Sequence, residues 1–208
     1  MKDRSFQMPG SPHAWPRDRN TPALACAVLV VDMQHDYCSP GFYIERAGYD
    51  TARLSAPIPR IQRVLAAARR AGLQVIYTRH GRLPGSASTT AAPGEPGWEI
   101  VPELRPEPVD AVIEKSTCSA FVSGELDRLL REKGIRCLAF CGNTIDVCVH
   151  STLRAAVDLG YECLLLGDCC GAVNDELHAW SIASVKIEDG VFGTVADADA
   201  FAGALEQR

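Results

Sequence analysis

Three residue types that together support thiol chemistry stand beside apolar, strand-like runs in this sequence. Asp32 follows the run AVLVV, Lys115 follows the run VDAVIE, and Cys148 follows the run CLAFC after a short polar turn. Ligands of open α/β sheets bind outside the carboxyl ends of the strands, so three such ends are places where a site would form. Each residue alone also fits an ordinary role as a turn cap, a solvated strand end or a packing residue. Their joint presence favours a catalytic site.

The chemistry of the three types is complementary. A thiol at a helix N-terminus has its pKa lowered by the backbone dipole, and a nearby ammonium lowers it further. A carboxylate accepts the thiol proton and later donates it to a leaving amine. Backbone N–H groups in the turn before the cysteine would hold the oxyanion of a tetrahedral intermediate. We therefore expect Cys148 to react with iodoacetamide ahead of the other eight cysteines.

Apolar runs alternate with helical patterns along most of the chain. This alternation predicts an α/β fold in which helices cover both faces of a six-stranded parallel sheet, a three-layer α/β/α arrangement. Helical spacing after residue 57 ends at Gly72, Ser123 and Asn174 are candidate N-caps, and the Asn174 helix should continue to about residue 188. The predicted strands cover residues 27–31, 73–78, 109–114, 137–141, 161–166 and 191–195.

The bulk composition fits one globular domain. A chain of 208 residues suits a single core, with residues 1–24 as a polar extension and 25–208 as the domain. A net charge of −5 does not favour binding to nucleic acid or to an anionic membrane. No run of residues resembles a signal peptide or a membrane span. We expect a cytoplasmic protein. Residues 81–108, rich in Pro, Gly and Ser, form a long loop that is expected to be functional or mobile.

Nine cysteines are unusual, but their placement does not indicate a disulfide scaffold. Four of them lie in apolar strand-like runs, where a thiol acts as a small hydrophobic group. No C-x-x-C pair is present, so a zinc ribbon or a thioredoxin-type site has no support. The four expected buried thiols are Cys26, Cys137, Cys141 and Cys163.

Several stretches resemble one family. VVDMQHDY, the strand-end Lys115 and GNTIDVCV are similar to the isochorismatase-like cysteine hydrolases, and the similarity runs over most of residues 25–205. Within that family the chain looks most like biuret hydrolases and ureidoacrylate amidohydrolases. The stretches that carry this likeness are GEPGWEIVPEL, STLRAAVDLGYECLLLGDCCGA and GVFGTV.

The resemblance implies a fold, an activity and a set of site residues. It implies a catalytic triad of Asp32, Lys115 and Cys148, and a cis peptide bond between Asn143 and Thr144. The N–H groups of Thr144 and Cys148 would then form the oxyanion hole. The implied reaction is cofactor-free cleavage of a C–N bond in a small ureido or carbamoyl compound, which releases ammonia or an amine. Relatives of this kind are commonly homo-oligomers.

Some positions depart from the family pattern. Relatives usually carry an apolar residue at Asn143 and Thr at Ile145. Glu188 occupies the place where biuret hydrolases present an amide to the substrate, so biuret itself is in question. Arg79, just past a strand end, and His35, near the mouth of the expected site, are further candidate substrate contacts.

Two alternatives remain open. Nicotinamidases share this fold but bind a metal through an Asp-x-His motif and a further His. The sequence around Asp50 lacks that motif, and His80 alone cannot build a metal site, so no metal is expected. A non-catalytic binding protein on this fold is the other alternative, and the intact Asp, Lys and Cys argue against it.

Overall fold

Six strands form one parallel sheet in the computed structural model, which describes residues 5–207. The strand order across the sheet is β3-β2-β1-β4-β5-β6, so β1 and β4 lie at its centre. This confirms the predicted six-stranded parallel sheet. The strands are β1 (Cys26–Val31), β2 (Gln74–His80), β3 (Ala111–Lys115), β4 (Cys137–Gly142), β5 (Glu162–Cys170) and β6 (Thr194–Ala196).

Helices connect the strands and cover both faces of the sheet. A π-helical turn, Ile145–Val149, leads directly into the helix after β4. None of the helices within residues 5–207 is long and apolar enough to cross a membrane. The α-helices are α1 (His35–Cys38), α2 (Tyr43–Arg46), α3 (Thr51–Ser55), α4 (Ile58–Ala71), α5 (Glu125–Glu132), α6 (His150–Asp158), α7 (Asp175–Gly190) and α8 (Ala198–Glu206).

The central strands are buried on both faces, which explains their continuous apolar sequences. Every residue of β1 is buried, and successive side chains point to opposite faces. Val28 and Val30 belong to the core cluster that includes residues of α4 and α8, whereas Leu29 belongs to the cluster with residues of α5 and α6. Asp32, which follows Val31 in the chain, therefore stands at the carboxyl end of a fully buried central strand.

The N-terminal segment packs into the same core as the rest of the chain. The Trp15 side chain is fully buried, with its ring centroid 5.9 Å from that of Phe6 and 6.3 Å from that of Phe201. Ser11 forms an antiparallel bridge with Val195, and its N–H donates to the Val195 carbonyl at 2.9 Å. The predicted boundary at residue 25 thus separates two segments that share one hydrophobic core.

Several predicted boundaries differ from those in the structure. Strand β6 begins only at Thr194, because Gly193 has a φ of 130° and its backbone approaches the Cys163 carbonyl, where a Cβ would lie 2.3 Å from the oxygen. Strand β5 extends to Cys170. Helix α5 begins at Glu125, whose N–H donates to the Ser123 hydroxyl at 3.3 Å.

Two local predictions are confirmed. The side chain of Asn174 caps α7 by accepting a hydrogen bond from the Leu177 N–H at 2.8 Å. The four thiols expected in the core are buried.

The end of α7 differs from the prediction that this helix continues to about residue 188. The backbone leaves helical geometry at Ile187, where ψ is 154°.

Replacing Trp15 by alanine tests whether the N-terminal segment is part of the domain. Trp15→Ala should lower the free energy of unfolding by about 3–5 kcal/mol, because it leaves a large cavity in a packed core. Trp180→Ala is the matched control, since Trp180 is 55% exposed and should change stability by less than about 1 kcal/mol. Urea denaturation followed by circular dichroism measures both values. Equal, small losses in the two variants would show that the N-terminal segment does not contribute to the core.

Candidate active site

The three residues predicted to act together meet at the carboxyl edge of the sheet. Asp32 follows β1, Lys115 is the last residue of β3, and Cys148 lies in the π-helical turn after β4. Lys115 Nζ lies 2.6 Å from Asp32 Oδ2. A carboxylate oxygen of Asp32 and the Cys148 sulfur lie within 4.8 Å of each other. The structure therefore brings the carboxylate, the ammonium and the thiol into one cluster.

Asp32 and Lys115 form a buried ion pair. The exposed fraction of the Asp32 side chain is 0% and that of Lys115 is 3%. Burial opposes the charge on Lys115, but the Asp32 carboxylate and the Cys148 thiol outweigh it, so the pKa of Lys115 is raised above its usual value. The ammonium also donates to the Thr117 carbonyl at 3.1 Å. Lys115 is therefore charged at neutral pH and its position is fixed.

Thr78, on strand β2 between β1 and β3, orients the carboxylate. Its hydroxyl accepts a hydrogen bond from the Asp32 N–H at 3.1 Å and donates one to Asp32 Oδ1. Asp32 itself has a φ of 48°, a left-handed conformation that is uncommon outside glycine. Sequence reasoning missed Thr78, although its place near the carboxyl end of the neighbouring strand was a usable signal.

The Cys148 thiol is buried beside a carboxylate rather than held as a free thiolate. A hydrogen bond with Cys118, burial and the charge of Asp32 raise its pKa well above the usual value, and Lys115 only partly opposes them. The expectation of a lowered Cys148 pKa is therefore wrong for the resting site. The Lys115 ammonium is paired with Asp32 at 2.6 Å, and the thiol proton remains to be removed during the reaction.

Cys118 is a second thiol in the site that sequence reasoning did not identify. Its side chain forms a hydrogen bond with the Cys148 thiol, and it is exposed, whereas the other cysteines are buried. That hydrogen bond, together with the charge of Lys115, lowers the pKa of Cys118 to about 6 despite some desolvation. Cys118 is thus the accessible thiol of the pair and the one whose pKa is lowered.

The turn between β4 and the nucleophile is tightly constrained. Gly142 has a φ of 115°, and a Cβ there would lie 2.1 Å from the Val31 carbonyl oxygen. The next peptide bond, between Asn143 and Thr144, is cis. The Asn143 side chain is buried and donates to the Leu54 carbonyl at 3.0 Å, so this polar departure from the family pattern anchors the turn to α3.

The same turn holds a backbone donor without an acceptor. The Ile145 N–H donates to the Gly171 carbonyl at 2.8 Å, and the Val147 and Val149 N–H groups donate to the Thr144 carbonyl. Within residues 5–207, the Thr144 N–H has no hydrogen-bond acceptor. Thr144 lines the same cavity as Cys148, so this N–H is available to a ligand.

A cavity of about 420 Å³ opens onto Cys148. Its wall combines three tyrosines, several small polar side chains and one carboxylate, a mixture suited to a small polar ligand. Its lining residues are Tyr37, Tyr43, Ile44, Tyr49, His80, Ala87, Ser88, Thr89, Thr90, Cys118, Thr144, Asp146, Val147, Cys148, Val173 and Leu177.

The 81–108 loop supplies part of this cavity and is held in place by buried polar contacts. Gln34 Nε2 donates to the Trp98 carbonyl at 2.8 Å, and the Gln34 side-chain carbonyl accepts from the His80 N–H at 2.7 Å. The Ala91 N–H donates to Asp36 Oδ2 at 2.6 Å. These contacts bring residues 87–90 to the cavity wall, so the loop is structured around the site.

The three candidate substrate contacts do not line this cavity. Glu188 is exposed, because the chain leaves helical geometry at Ile187. Arg79 pairs with Glu114 at 2.8 Å and stacks over Trp98.

His35 is also removed from the cavity wall. Its ring bonds the Ser39 hydroxyl at 2.8 Å and stacks on Phe42. The prediction that these three residues contact the substrate is therefore corrected for this chain, because none of them lines the cavity. Local contacts hold Arg79 and His35, and Glu188 points to solvent.

His80 lies nearer to the triad than its sequence position suggested. Donor atoms of Asp32, His80 and Cys148 all lie within 4.8 Å of one another, a set of ligand types that binds zinc in other proteins. The Lys115 ammonium, however, lies 2.6 Å from Asp32 and 3.4 Å from the His80 ring. A metal cation at this point would be repelled by that charge, so the arrangement does not favour a metal centre.

The contact between the two thiols makes a prediction about alkylation. Iodoacetamide should modify Cys118 before the eight buried cysteines, with a rate that is constant at neutral pH and falls below about pH 6, because only the thiolate reacts. Peptide mass mapping over a pH series measures this. Cys118→Ser should remove the fast modification and leave slower labelling of Cys148. First labelling at Cys148, or a midpoint near the usual thiol value of about 8.5, would contradict the assignment.

Known proteins share both the sequence pattern and the fold. Residues 26–200 match the Isochorismatase domain family. Ureidoacrylate amidohydrolase RutB of Azorhizobium caulinodans is 35% identical over 199 residues, which cover 82% of this chain and 87% of that protein. The protein of the same name from Stutzerimonas stutzeri is 35% identical over 96% of this chain and 88% of its own length.

A solved structure agrees with these matches. A cysteine hydrolase from Pseudomonas syringae pv. phaseolicola 1448A superposes with a TM-score of 0.79 at 26% identity, covering 100% of this chain and 99% of its own. The family match spans most of the chain, and the six-stranded parallel sheet is common to these hydrolases. This chain therefore belongs to the isochorismatase family and has the fold of the isochorismatase-like cysteine hydrolases.

Proposed function

We propose that this enzyme is a cysteine amidohydrolase that cleaves a C–N bond of a small ureido or carbamoyl compound through a covalent intermediate on Cys148. Its class, a hydrolase of linear amides, agrees with relatives that are named ureidoacrylate amidohydrolases. The observation that carries the covalent mechanism is the buried cluster of Asp32, Lys115 and Cys148 at the floor of a small cavity.

The first step is proton transfer coupled to attack. The Asp32 carboxylate takes the proton from the Cys148 thiol, and the sulfur forms a bond to the substrate carbonyl carbon. The carbonyl oxygen becomes an oxyanion, and the Thr144 N–H, which has no acceptor within residues 5–207, donates to it. The N–H of Cys148 is the second donor that the family resemblance implies.

The second step expels the nitrogen. Protonated Asp32 donates its proton to the leaving nitrogen, the C–N bond breaks, and ammonia or an amine departs. A water molecule then gives a proton to Asp32 while its oxygen attacks the thioester-type carbonyl carbon. The C–S bond breaks, and protonated Asp32 returns its proton to the Cys148 sulfur, which restores the carboxylate and the free thiol. Lys115 keeps the negative charge that moves between Asp32 and Cys148 compensated at each stage.

The cavity sets the size of the substrate. A volume of about 420 Å³ admits a compound of a few carbon and nitrogen atoms and lies at the small end of the range for ligand sites. Its wall offers hydroxyl groups on Ser88, Thr89 and Thr90 for hydrogen bonds to a polar, planar group. A ureido group, with N–H donors and one carbonyl acceptor, matches these partners.

Loss of the nucleophile or of the base should abolish turnover. Cys148→Ala should give no detectable product, since no other group takes the sulfur's place. Asp32→Asn should lower kcat by about 100-fold or more, because an amide cannot accept the thiol proton. Ammonia release over a panel of ureido, carbamoyl and carboxamide compounds measures both.

Circular dichroism on the same two variants controls for folding. Hydrolysis by Cys148→Ala near the wild-type rate would refute the nucleophile assignment. A kcat for Asp32→Asn above about a tenth of wild type, roughly 1.4 kcal/mol in barrier, would refute the role of the base.

Chelation tests the alternative in which Asp32, His80 and Cys148 bind a metal. Incubation with a strong chelator, followed by gel filtration, should leave kcat/KM unchanged, because the mechanism uses only protein groups. Added zinc should not raise kcat/KM, because the Lys115 ammonium beside Asp32 and His80 disfavours a metal cation at the reacting centre. Activity that disappears with chelation and returns with metal would place this enzyme with the metal-dependent amidases.

A further inference from the structure

The cavity contains one fixed negative charge and no cationic side chain among the described residues that line it. Asp146 is the carboxylate. Burial lowers the pKa of His80, so its ring is neutral at pH 7. The Lys115 ammonium is not part of the wall, because it is buried and donates to Asp32 and Thr117. The wall therefore offers a ligand one carboxylate and no cationic side chain, while the Lys115 ammonium is already paired with Asp32.

Asp146 also has an unused hydrogen-bond acceptor. Its Oδ1 atom is shielded from solvent and accepts no hydrogen bond from a protein group within residues 5–207. No protein donor within residues 5–207 therefore offsets the charge at this oxygen, and the carboxylate charge acts on a ligand in the cavity. Asp146 stands two residues before Cys148 in the same π-helical turn, which places it beside the reacting centre.

We propose that Asp146 selects uncharged, N–H-bearing ureido or amide substrates over carboxylate-bearing ones, because its carboxylate stands in a cavity wall that contains no cationic side chain. This inference rests on the proposed amidohydrolase function, because it assigns the substrate class of the same site. An ionised carboxylate accepts hydrogen bonds but donates none, so it pairs with the NH or NH2 of a urea and repels a second carboxylate.

Arg79, the arginine expected to bind a substrate carboxylate, does not offset this charge. It pairs with Glu114 and Glu99 and stacks on Trp98, outside the cavity wall. Cys118, which also lies in the wall, supplies no positive charge. A carboxylate-bearing ligand would thus enter a site whose wall holds the Asp146 carboxylate and no cationic side chain.

Asp146 has a purely structural alternative role. It lies in the first turn of a helical segment, where a carboxylate stabilises the N-terminus through the backbone dipole. In that case Asp146→Asn would lower stability slightly and change all substrates alike. A change in the ratio between a charged and an uncharged substrate separates the two roles.

The first experiment compares two substrates that share one reacting group. N-carbamoyl-β-alanine and its methyl ester carry the same ureido group, and the ester replaces the carboxylate by an uncharged group without adding a second amide. Wild-type kcat/KM for ammonia release should favour the ester, and Asp146→Asn should reduce that preference about tenfold or more, because a charge–charge contact in a partly buried site has about that effect. Asp158→Asn is the matched control, since Asp158 is exposed at the far end of α6. It should leave the ratio unchanged.

The second experiment needs no turnover. In a Cys118→Ser background, the rates of Cys148 modification by neutral iodoacetamide and anionic iodoacetate are compared by peptide mass mapping. The ratio of the two rates cancels the thiolate fraction, so it reports only how the cavity treats the reagent's charge. Asp146→Asn should raise the relative rate of iodoacetate about tenfold, and Asp158→Asn should not.

The outcomes separate this proposal from the proposed function. If ureido compounds are hydrolysed but neither ratio responds to Asp146→Asn, the amidohydrolase function stands and the selection by Asp146 is refuted. A wild-type preference for the carboxylate substrate refutes it equally. If the alkylation ratio shifts while no ureido or amide compound is hydrolysed, the charge selection stands and the proposed function fails.

Discussion

The buried ion pair between Asp32 and Lys115 is the interaction on which the site depends. Removal of one partner would leave an uncompensated charge in the core, at a cost of about 3–5 kcal/mol. The pair is possible only because β3, β2 and β1 are adjacent and end together, with Thr78 on the middle strand bonded to the carboxylate. The strand order is therefore needed to bring the catalytic groups together as well as to form the hydrophobic core.

The pair also determines the state of the nucleophile. In the resting site the ammonium is paired with the Asp32 carboxylate, and the contact with Cys118, burial and the charge of Asp32 raise the pKa of Cys148, so its thiol keeps its proton. Attack then requires transfer of that proton to the carboxylate, which makes Asp32 a base rather than a spectator. A helix N-terminus lowers a thiol pKa in an exposed site, but here burial, the neighbouring carboxylate and the contact with Cys118 outweigh it.

Much of the fold and the triad followed from sequence because both depend on short-range patterns. Continuous apolar runs predict buried strands, and residues at strand ends meet at one edge. The contacts of Thr78, Cys118 and Asp146 were not predictable in this way, since they join side chains from separate elements. Glu188 was misplaced because a break in α7, three residues before its end, has no clear signal in the local sequence.

The loop at residues 81–108 shows why substrate choice is harder to predict than reaction type. Its contacts with Gln34 and Asp36 set residues 87–90 against the cavity, and such contacts depend on tertiary packing. Loops of this kind vary while the scaffold that positions the catalytic groups stays the same. The residues at the carboxyl edge of the sheet thus determine the class of reaction. The residues of the cavity wall, including Asp146, determine the class of substrate.

Rapid acid quench followed by peptide mass spectrometry would detect the covalent intermediate on Cys148. Wild-type enzyme is mixed with a hydrolysable ureido compound and quenched within the first turnover. The peptide containing Cys148 should then carry one substrate-derived acyl or carbamoyl group, seen as an increase in its mass. The increase should decay as product forms and should be absent in Asp32→Asn. Turnover without any adduct on that peptide, or an adduct confined to Cys118, would contradict the account.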